Sequence, residues 1–178
     1  SWETLVEIDP ANPAWIDRLS NYSLMPALRR GPLVHGGVTP WQHGPTLLAQ
    51  FAPPAPQDIS WAAYPLPVGR VGQAHAVEIE FPADLAQSFG FSIVDPNAAG
   101  GALPIGLDSG VYVSSDTVEA TPTLKKHRLI FWPRSAMPLL LVTNRSQAEL
   151  GAYGKIRLLG PRALAFPRAR EMPVSRLP

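Results

Sequence analysis

The chain of 178 residues contains no cysteine, so it can form no disulfide, thiolate metal site or cysteine nucleophile. Its compartment therefore cannot be inferred from redox chemistry. No apolar run approaches the roughly 20 residues that a membrane-spanning helix needs. The formal net charge is only +1, which argues against a nucleic-acid-binding protein that relies on a strong positive field.

Proline, in contrast, is abundant. The chain has 21 prolines, about twice the average frequency. Proline removes a backbone donor and breaks helices, so this composition favours strands and ordered loops over a helical bundle. The apolar fraction of 46% lies in the globular range, and the length suits one hydrophobic core.

A period of two is the clearest pattern in the chain. Val77, Ile79 and Phe81 alternate with Glu78 and Glu80, as expected for a strand with one buried face and one wet face. Similar short alternations follow, and they are separated by turns rich in proline, glycine and asparagine. The pattern predicts about seven or eight short strands with turn signals every 8–12 residues.

These strands predict an all-β protein, an antiparallel β-sandwich of jelly-roll type. A parallel α/β sheet is excluded because no room remains for helices between the strands. We expect one domain over residues 1–160, with the regular strand core at 74–159. Residues 1–70 look irregular apart from a strand at Thr46–Phe51, and residues 161–178 form a Pro/Arg-rich tail or linker.

Aromatic residues are the strongest functional signal, with five tryptophans in the chain. Exposed indole and phenol rings can stack on sugar faces, while neighbouring polar side chains bond the hydroxyl groups. The alternative interpretation is that the tryptophans fill gaps between sheets. The candidate ligand-binding residues are Trp41, Trp61, Tyr64, Gln42, His43 and Arg134.

Metal and catalytic motifs are weaker. Asp95, Asn97 and Asp108 occupy turns and are candidate oxygen ligands of a structural calcium ion, although no loop has the dense carboxylate spacing of a dedicated site. The four histidines match no compact metal-binding spacing. We expect no organic cofactor.

Paired glutamates and two serines are the candidate catalytic residues. Glu78 and Glu80 stand roughly 7 Å apart on one strand face, a separation that paired glycosidase carboxylates use. An outward Glu-x-Glu is more often a solvated face. Ser109 and Ser135 are not in the Gly-x-Ser-x-Gly turn that presents a serine nucleophile.

The order of strand motifs resembles the galactose-binding-like jelly rolls, a type of carbohydrate-binding module found in large secreted bacterial proteins. The motifs that carry the resemblance are His75–Pro82, Phe89–Pro96, His127–Pro133, Pro138–Asn144 and Tyr153–Leu158. The resemblance covers residues 74–159 and rests on strand order.

The resemblance implies a noncatalytic domain, secreted or periplasmic in a bacterium, that binds a polysaccharide or oligosaccharide. It also implies a catalytic domain in the same polypeptide as a partner. The balanced charge and the lack of a long apolar run predict no nucleic-acid partner and no membrane span. Two alternatives stay open: a structural accessory domain that packs on such a catalytic domain, and a small glycan-active enzyme.

Overall fold

The structure is a computed structural model that describes residues 1–11, 34–35, 38–51, 60–96, 102–104, 109–146 and 148–162. Within these ranges no helix is long and apolar enough to cross a membrane. The described strands are β1 (Trp2–Ile8), β2 (Val34–His35), β3 (Thr39–His43), β4 (Thr46–Phe51), β5 (Ser60–Pro65), β6 (His75–Pro82), β7 (Gln87–Pro96), β8 (Ala102–Pro104), β9 (Ser109–Val113), β10 (Leu124–Phe131), β11 (Leu139–Asn144), β12 (Gly151–Tyr153) and β13 (Ile156–Pro161).

The strands form three antiparallel sheets. Sheet A has the order β1-β13-β6-β10, and sheet B has the order β2-β5-β11-β7-β8, with β9 also paired to β7. Sheet C is smaller and has the order β12-β4-β3. The predicted all-β antiparallel sandwich is confirmed.

One hydrophobic core joins the inner faces of the sheets. On β6 the apolar side chains Val77, Ile79 and Phe81 are buried, and Leu158 and Ile156 of β13 lie opposite the first two. The alternation seen in the sequence is therefore the alternation of the folded strand.

Aromatic rings fill the middle of this core. Phe89 and Phe91 meet edge to face, with ring centroids 5.1 Å apart. Tyr153 lies beside Phe89 and also meets Tyr64 edge to face at 6.1 Å. The hydroxyl groups of Tyr64 and Tyr153 are hydrogen-bonded to each other. Burial raises the pKa of both phenols, so both stay neutral.

The N-terminal part of the chain contains more strand than the sequence predicts. Thr46–Phe51 is a strand, as expected, but β1 at Trp2–Ile8 corrects the expectation of an irregular segment there. β1 pairs with β13 and places Trp2 opposite Pro161. The register shifts between Thr4 and Val6, and such a bulge interrupts the period of two by which a strand is recognised.

The outer face of sheet A carries a row of alternating charges. Arg128, Glu78, Arg157 and Glu7 lie in register across all four strands. Arg128 pairs with Glu78 at 3.2 Å, and Arg157 pairs with Glu7 at 2.8 Å. The hydrogen bond from Arg157 lowers the pKa of Glu7. Glu80 lies 3.9 Å from the same guanidinium, so both predicted carboxylates, Glu78 and Glu80, belong to structural ion pairs.

A buried amide connects the turn after β6 to sheet C. Gln87 is fully buried, and its Nε2 donates to the carbonyl oxygen of Pro82 at 3.2 Å. Its Oε1 accepts from the backbone N–H of Ala152 on β12 at 2.7 Å. A buried backbone group that loses its partner costs free energy, so this side chain holds the two segments together.

We predict that Gln87→Leu lowers the free energy of unfolding by about 1–3 kcal/mol for each backbone group left without a partner. Urea unfolding followed by fluorescence measures the change. Gln42→Leu is the matched control, because the Gln42 amide is exposed and bonds only to the carbonyl of Gly44 within its own hairpin. Equal shifts in the two variants would contradict the assigned role of Gln87.

Candidate functional site

The hairpin turn between β3 and β4 lies at one end of the sandwich. His43, Gly44, Pro45 and Thr46 form this turn, and Gly44 has a φ of 57°. A positive φ at the first central residue is typical of the two-residue turns that match strand twist, and glycine accepts it without strain. The turn therefore sets the direction in which His43 leaves β3.

A second turn, which follows β6, carries Asp84. The backbone N–H of Ala83 donates to the carbonyl of Thr123 at 2.8 Å, and the N–H of Glu119 donates to the carbonyl of Ala83 at 3.1 Å. The segment between β9 and β10 thus holds the Asp84 turn in place. Asp84 reaches the β3–β4 hairpin from there.

Trp41, His43 and Asp84 come together at this end and are called the end site. Trp41 and His43 are two residues apart on β3, so their side chains share a face. Their rings stack with centroids 4.6 Å apart and an interplanar angle of 29°. His43 Nε2 lies 2.6 Å from Asp84 Oδ2. The His43 side chain is 20% exposed and the Asp84 side chain 11%.

The Asp84 carboxylate selects the histidine tautomer. An ionised carboxylate can only accept a hydrogen bond, so Nε2 of His43 carries a proton, and in the neutral ring Nδ1 is then the acceptor. The other carboxylate oxygen, Asp84 Oδ1, is buried and has no hydrogen-bond partner in the described part of the chain. Within the described residues, His43 is therefore the side-chain hydrogen-bond partner of this carboxylate, which orients the imidazole.

A shallow recess adjoins His43. It has a volume of about 40 Å³, and its other lining residues are Pro45, Thr46, Pro122, Thr123 and Leu124. One water molecule needs roughly 10–15 Å³ of such space, so the recess has room for a small polar substituent. The hydroxyl-bearing side chains of Thr46 and Thr123 are the polar part of its wall.

Two of the predicted hydrogen-bonding residues do not join the end site. Gln42 lies between Trp41 and His43 on β3, so strand alternation directs it to the opposite face. Arg134 is exposed and follows the C-terminal end of β10, whereas Asp84 lies beside the N-terminal end of that strand. The length of β10 separates them by about 25 Å.

The two other predicted aromatic residues are also elsewhere. Tyr64 is only 1% exposed, so the prediction that it presents its ring on a surface platform is wrong. Its position on β5 faces inward because Leu140, its partner on β11, belongs to the core. Trp61 is half-buried on the outer side of the same strand, in sheet B, whereas Trp41 is in sheet C.

The calcium candidates are only partly covered by the structure. Asn97 and Asp108 lie outside the described residues. Asp95 is buried and accepts a hydrogen bond from the Ser135 hydroxyl. Among the described residues no three histidine, aspartate or glutamate side chains are placed to hold a metal ion.

Sequence reasoning missed Asp84 because its partner, His43, lies 41 residues away. Trp132, another of the five tryptophans, is 58% exposed, whereas Phe131 beside it is buried.

Ser109 and His127 form another pair that spacing could not reveal. The Ser109 hydroxyl lies 2.7 Å from His127 Nε2, which bridges the edge strands β9 and β10 of the two large sheets. Phe91 stacks on the imidazole with centroids 5.2 Å apart. Burial lowers the pKa of His127, so the ring is neutral at neutral pH and its Nε2 accepts a hydrogen bond from the Ser109 hydroxyl.

A cleft of about 250 Å³ opens near this pair. Its lining residues are Phe81, Ala83, Val111, Tyr112, Val113, Thr117 and Lys125. Lys125 already pairs with Glu119 at 3.0 Å, and five of the seven lining residues have apolar or aromatic side chains. The end site therefore has the better set of directional polar groups.

Comparisons with known proteins find structural neighbours of low sequence identity. No family model and no curated protein sequence matches the chain. The enzymatically active domain of bacteriophage CBA120 tailspike protein 4 is 12% identical over 70% of this chain, with a TM-score of 0.50. The match spans only 17% of the tailspike chain.

Carbohydrate-binding modules are among the other structural neighbours. The mannan-recognising module TmCBM27 is 14% identical to this chain. The match covers 91% of this chain and 99% of the module, with a TM-score of 0.47. CBM28, specific for non-crystalline cellulose, is 7% identical over 68% of this chain and 76% of its own, with a TM-score of 0.40. Likeness at this level concerns the fold alone.

We predict that His127 makes the protein less stable as the pH falls. Its pKa is lower in the folded state than the usual 6.5, so the unfolded chain binds the proton first. The stability associated with neutral His127 is complete above about pH 6.5 and is lost as the pH falls from there through the folded pKa. Urea unfolding at several values between about pH 5 and pH 8 measures this loss.

His127→Gln should flatten that profile, because glutamine can still bond to Ser109 and does not titrate. Ser109→Ala is the control, since it removes the hydrogen bond and keeps the titrating ring. A His127→Gln profile as steep as the wild-type profile would show that other groups cause the acid sensitivity.

Proposed function

We propose that the protein binds a carbohydrate without altering it chemically, and that the end site is where it binds. The observation that carries the proposal is the stack of Trp41 on His43, with His43 held by the Asp84 carboxylate. An indole and an oriented hydrogen-bonding ring are thus stacked on one face of β3.

The chemistry of this arrangement suits a sugar. A pyranose ring presents C–H groups on its faces, which pack on an indole, and hydroxyl groups at its edge, which need directional partners. In the neutral ring, His43 Nδ1 is an acceptor for such a hydroxyl. Beside it, the Thr46 hydroxyl can donate or accept, and the Thr123 hydroxyl, which donates to the Thr121 carbonyl at 3.0 Å, can accept. The recess next to His43 would take a hydroxyl or hydroxymethyl substituent.

A site of this kind is shallow, so a single copy would bind weakly. We propose that the domain works outside the bacterial cytoplasm, in a polypeptide that also carries a catalytic domain. Attachment to such a domain raises the effective concentration of enzyme at the polysaccharide without requiring a tight site.

We predict that Trp41→Ala weakens glycan binding at least about tenfold, which corresponds to about 1.4 kcal/mol. A glycan array with the wild-type chain identifies the ligand, and affinity electrophoresis in gels that contain it measures the change. The loss is expected because the truncation removes the stacking surface and the packing that supports His43.

Trp132→Ala is the matched control, because Trp132 is exposed at the opposite end of β10 from the Asp84 turn. It should bind like the wild type. Absence of wild-type binding to every glycan on the array would favour a structural accessory domain. Release of reducing sugar from a bound glycan would favour an enzyme.

A further inference from the structure

The outer face of sheet B contains a row of four residues in register. Trp61 on β5 lies opposite Thr143 on β11, which lies opposite Gly90 on β7, which lies opposite Gly110 on β9. Their neighbours in sequence, such as Phe89, are in the core, so this row faces outward. The two glycines leave the middle of the face without side chains.

Arg145 fills the space above one of these glycines. A Cβ atom on Gly90 would lie 2.4 Å from Nε of Arg145 and 2.5 Å from its Cζ and Nη2. The guanidinium therefore lies against the sheet, in the space that the side chain of any residue larger than glycine at this position would occupy. Arg145 is exposed, and no carboxylate of the described residues lies within ion-pair distance of it.

An exposed phenol lies on the neighbouring strand of the same face. Tyr112 is 77% exposed, the largest exposure among the big apolar and aromatic side chains described. It lies on β9 opposite Ser88, and the Ser88 carbonyl accepts from the backbone N–H of Arg145 at 2.8 Å. Because β9 is adjacent to β7, the backbone of Tyr112 lies about one strand spacing, roughly 5 Å, from that of Ser88. Ser88 is two residues along β7 from Gly90, on which the guanidinium rests.

We propose that this face is a second binding site and that its ligand is a saccharide that carries a carboxylate group. The site, here called the arginine seat, consists of Arg145, Gly90, Gly110 and Tyr112. The carboxylate pairs with the guanidinium of Arg145, which covers Gly90, and the sugar ring packs against Tyr112 over Gly110, where no side chain stands.

The charge and the shape of the seat both lead to this ligand. A guanidinium is a planar fork of donors that matches a carboxylate with two parallel hydrogen bonds, and charge-assisted bonds of this kind are strong. An exposed phenol above a flat floor suits a flat ring better than an extended peptide. Half-buried Ser88 and Thr143 add hydroxyl groups at the edges of the floor.

The arginine seat shares no residue with the end site, so the two sites can be tested separately. The probes are polygalacturonate, alginate and hyaluronan, each in affinity electrophoresis with the full chain. Methyl-esterified polygalacturonate is the neutral comparison. We expect at least one polyuronate to retard the wild-type chain, and we expect esterification to weaken the retardation by polygalacturonate if that is the polymer bound.

Substitutions then locate the site. Arg145→Gln should weaken polyuronate binding at least about tenfold, whereas Arg134→Gln should leave it close to wild type. Arg134 is the matched control because it is also an exposed arginine and lies on a different part of the surface. Trp41→Ala should leave polyuronate binding unchanged, which separates this result from a failure of the end site.

Gly90→Ala tests the geometry while keeping the charge. The added methyl group would overlap the guanidinium, so binding should fall although Arg145 is present. Gly69→Ala is the matched control, since open space surrounds that position. Urea unfolding shows whether each variant is folded. If Gly90→Ala does not fold, the binding of Arg145→Gln alone tests the proposed site.

Three results would overturn the proposal. The first is no retardation by any of the three polyuronates. The second is an equal loss in Arg145→Gln and Arg134→Gln, which would indicate attraction by net charge alone. The third is wild-type binding by a folded Gly90→Ala variant.

Discussion

Every part of this structure depends on the burial of one apolar face from each sheet against a shared aromatic centre. Phe89, Phe91, Tyr64 and Tyr153 interlock there from three strands in two sheets. Since side chains alternate along a strand, a slip of one residue would place the inner set in water and the outer set in the core. The core therefore determines register, and register determines which residues reach the surface.

That constraint leaves outward strand positions and turns as the places where ligands can bind. The end site uses turns, because His43 precedes the hairpin turn at Gly44 and Asp84 lies in the turn after β6. The arginine seat uses an outward row, in which Gly90 makes room for Arg145. Both sites obtain their geometry from the backbone, which is rigid where the core packs beneath it.

The two large sheets differ in whether the arginines on their outer faces are paired with carboxylates. On sheet A the outward arginines are matched by carboxylates, as in the pairs Arg128–Glu78 and Arg157–Glu7. Exposed pairs of this kind contribute little to stability, but they leave few charges available to a ligand. On sheet B the described residues provide no such partner for Arg145. A guanidinium that can pair with a ligand is therefore found on sheet B.

The amino-acid sequence by itself determined the all-β class and the strand that contains Val77, Ile79 and Phe81, because a period of two is a local property. It did not determine β1, whose bulge interrupts that period, or the burial of Tyr64. Only the tertiary structure decided that Asp84 meets His43 and that Arg134 lies about 25 Å from them. The physical reason is that strand order brings particular turns together, and strand order results from packing between residues far apart in the chain.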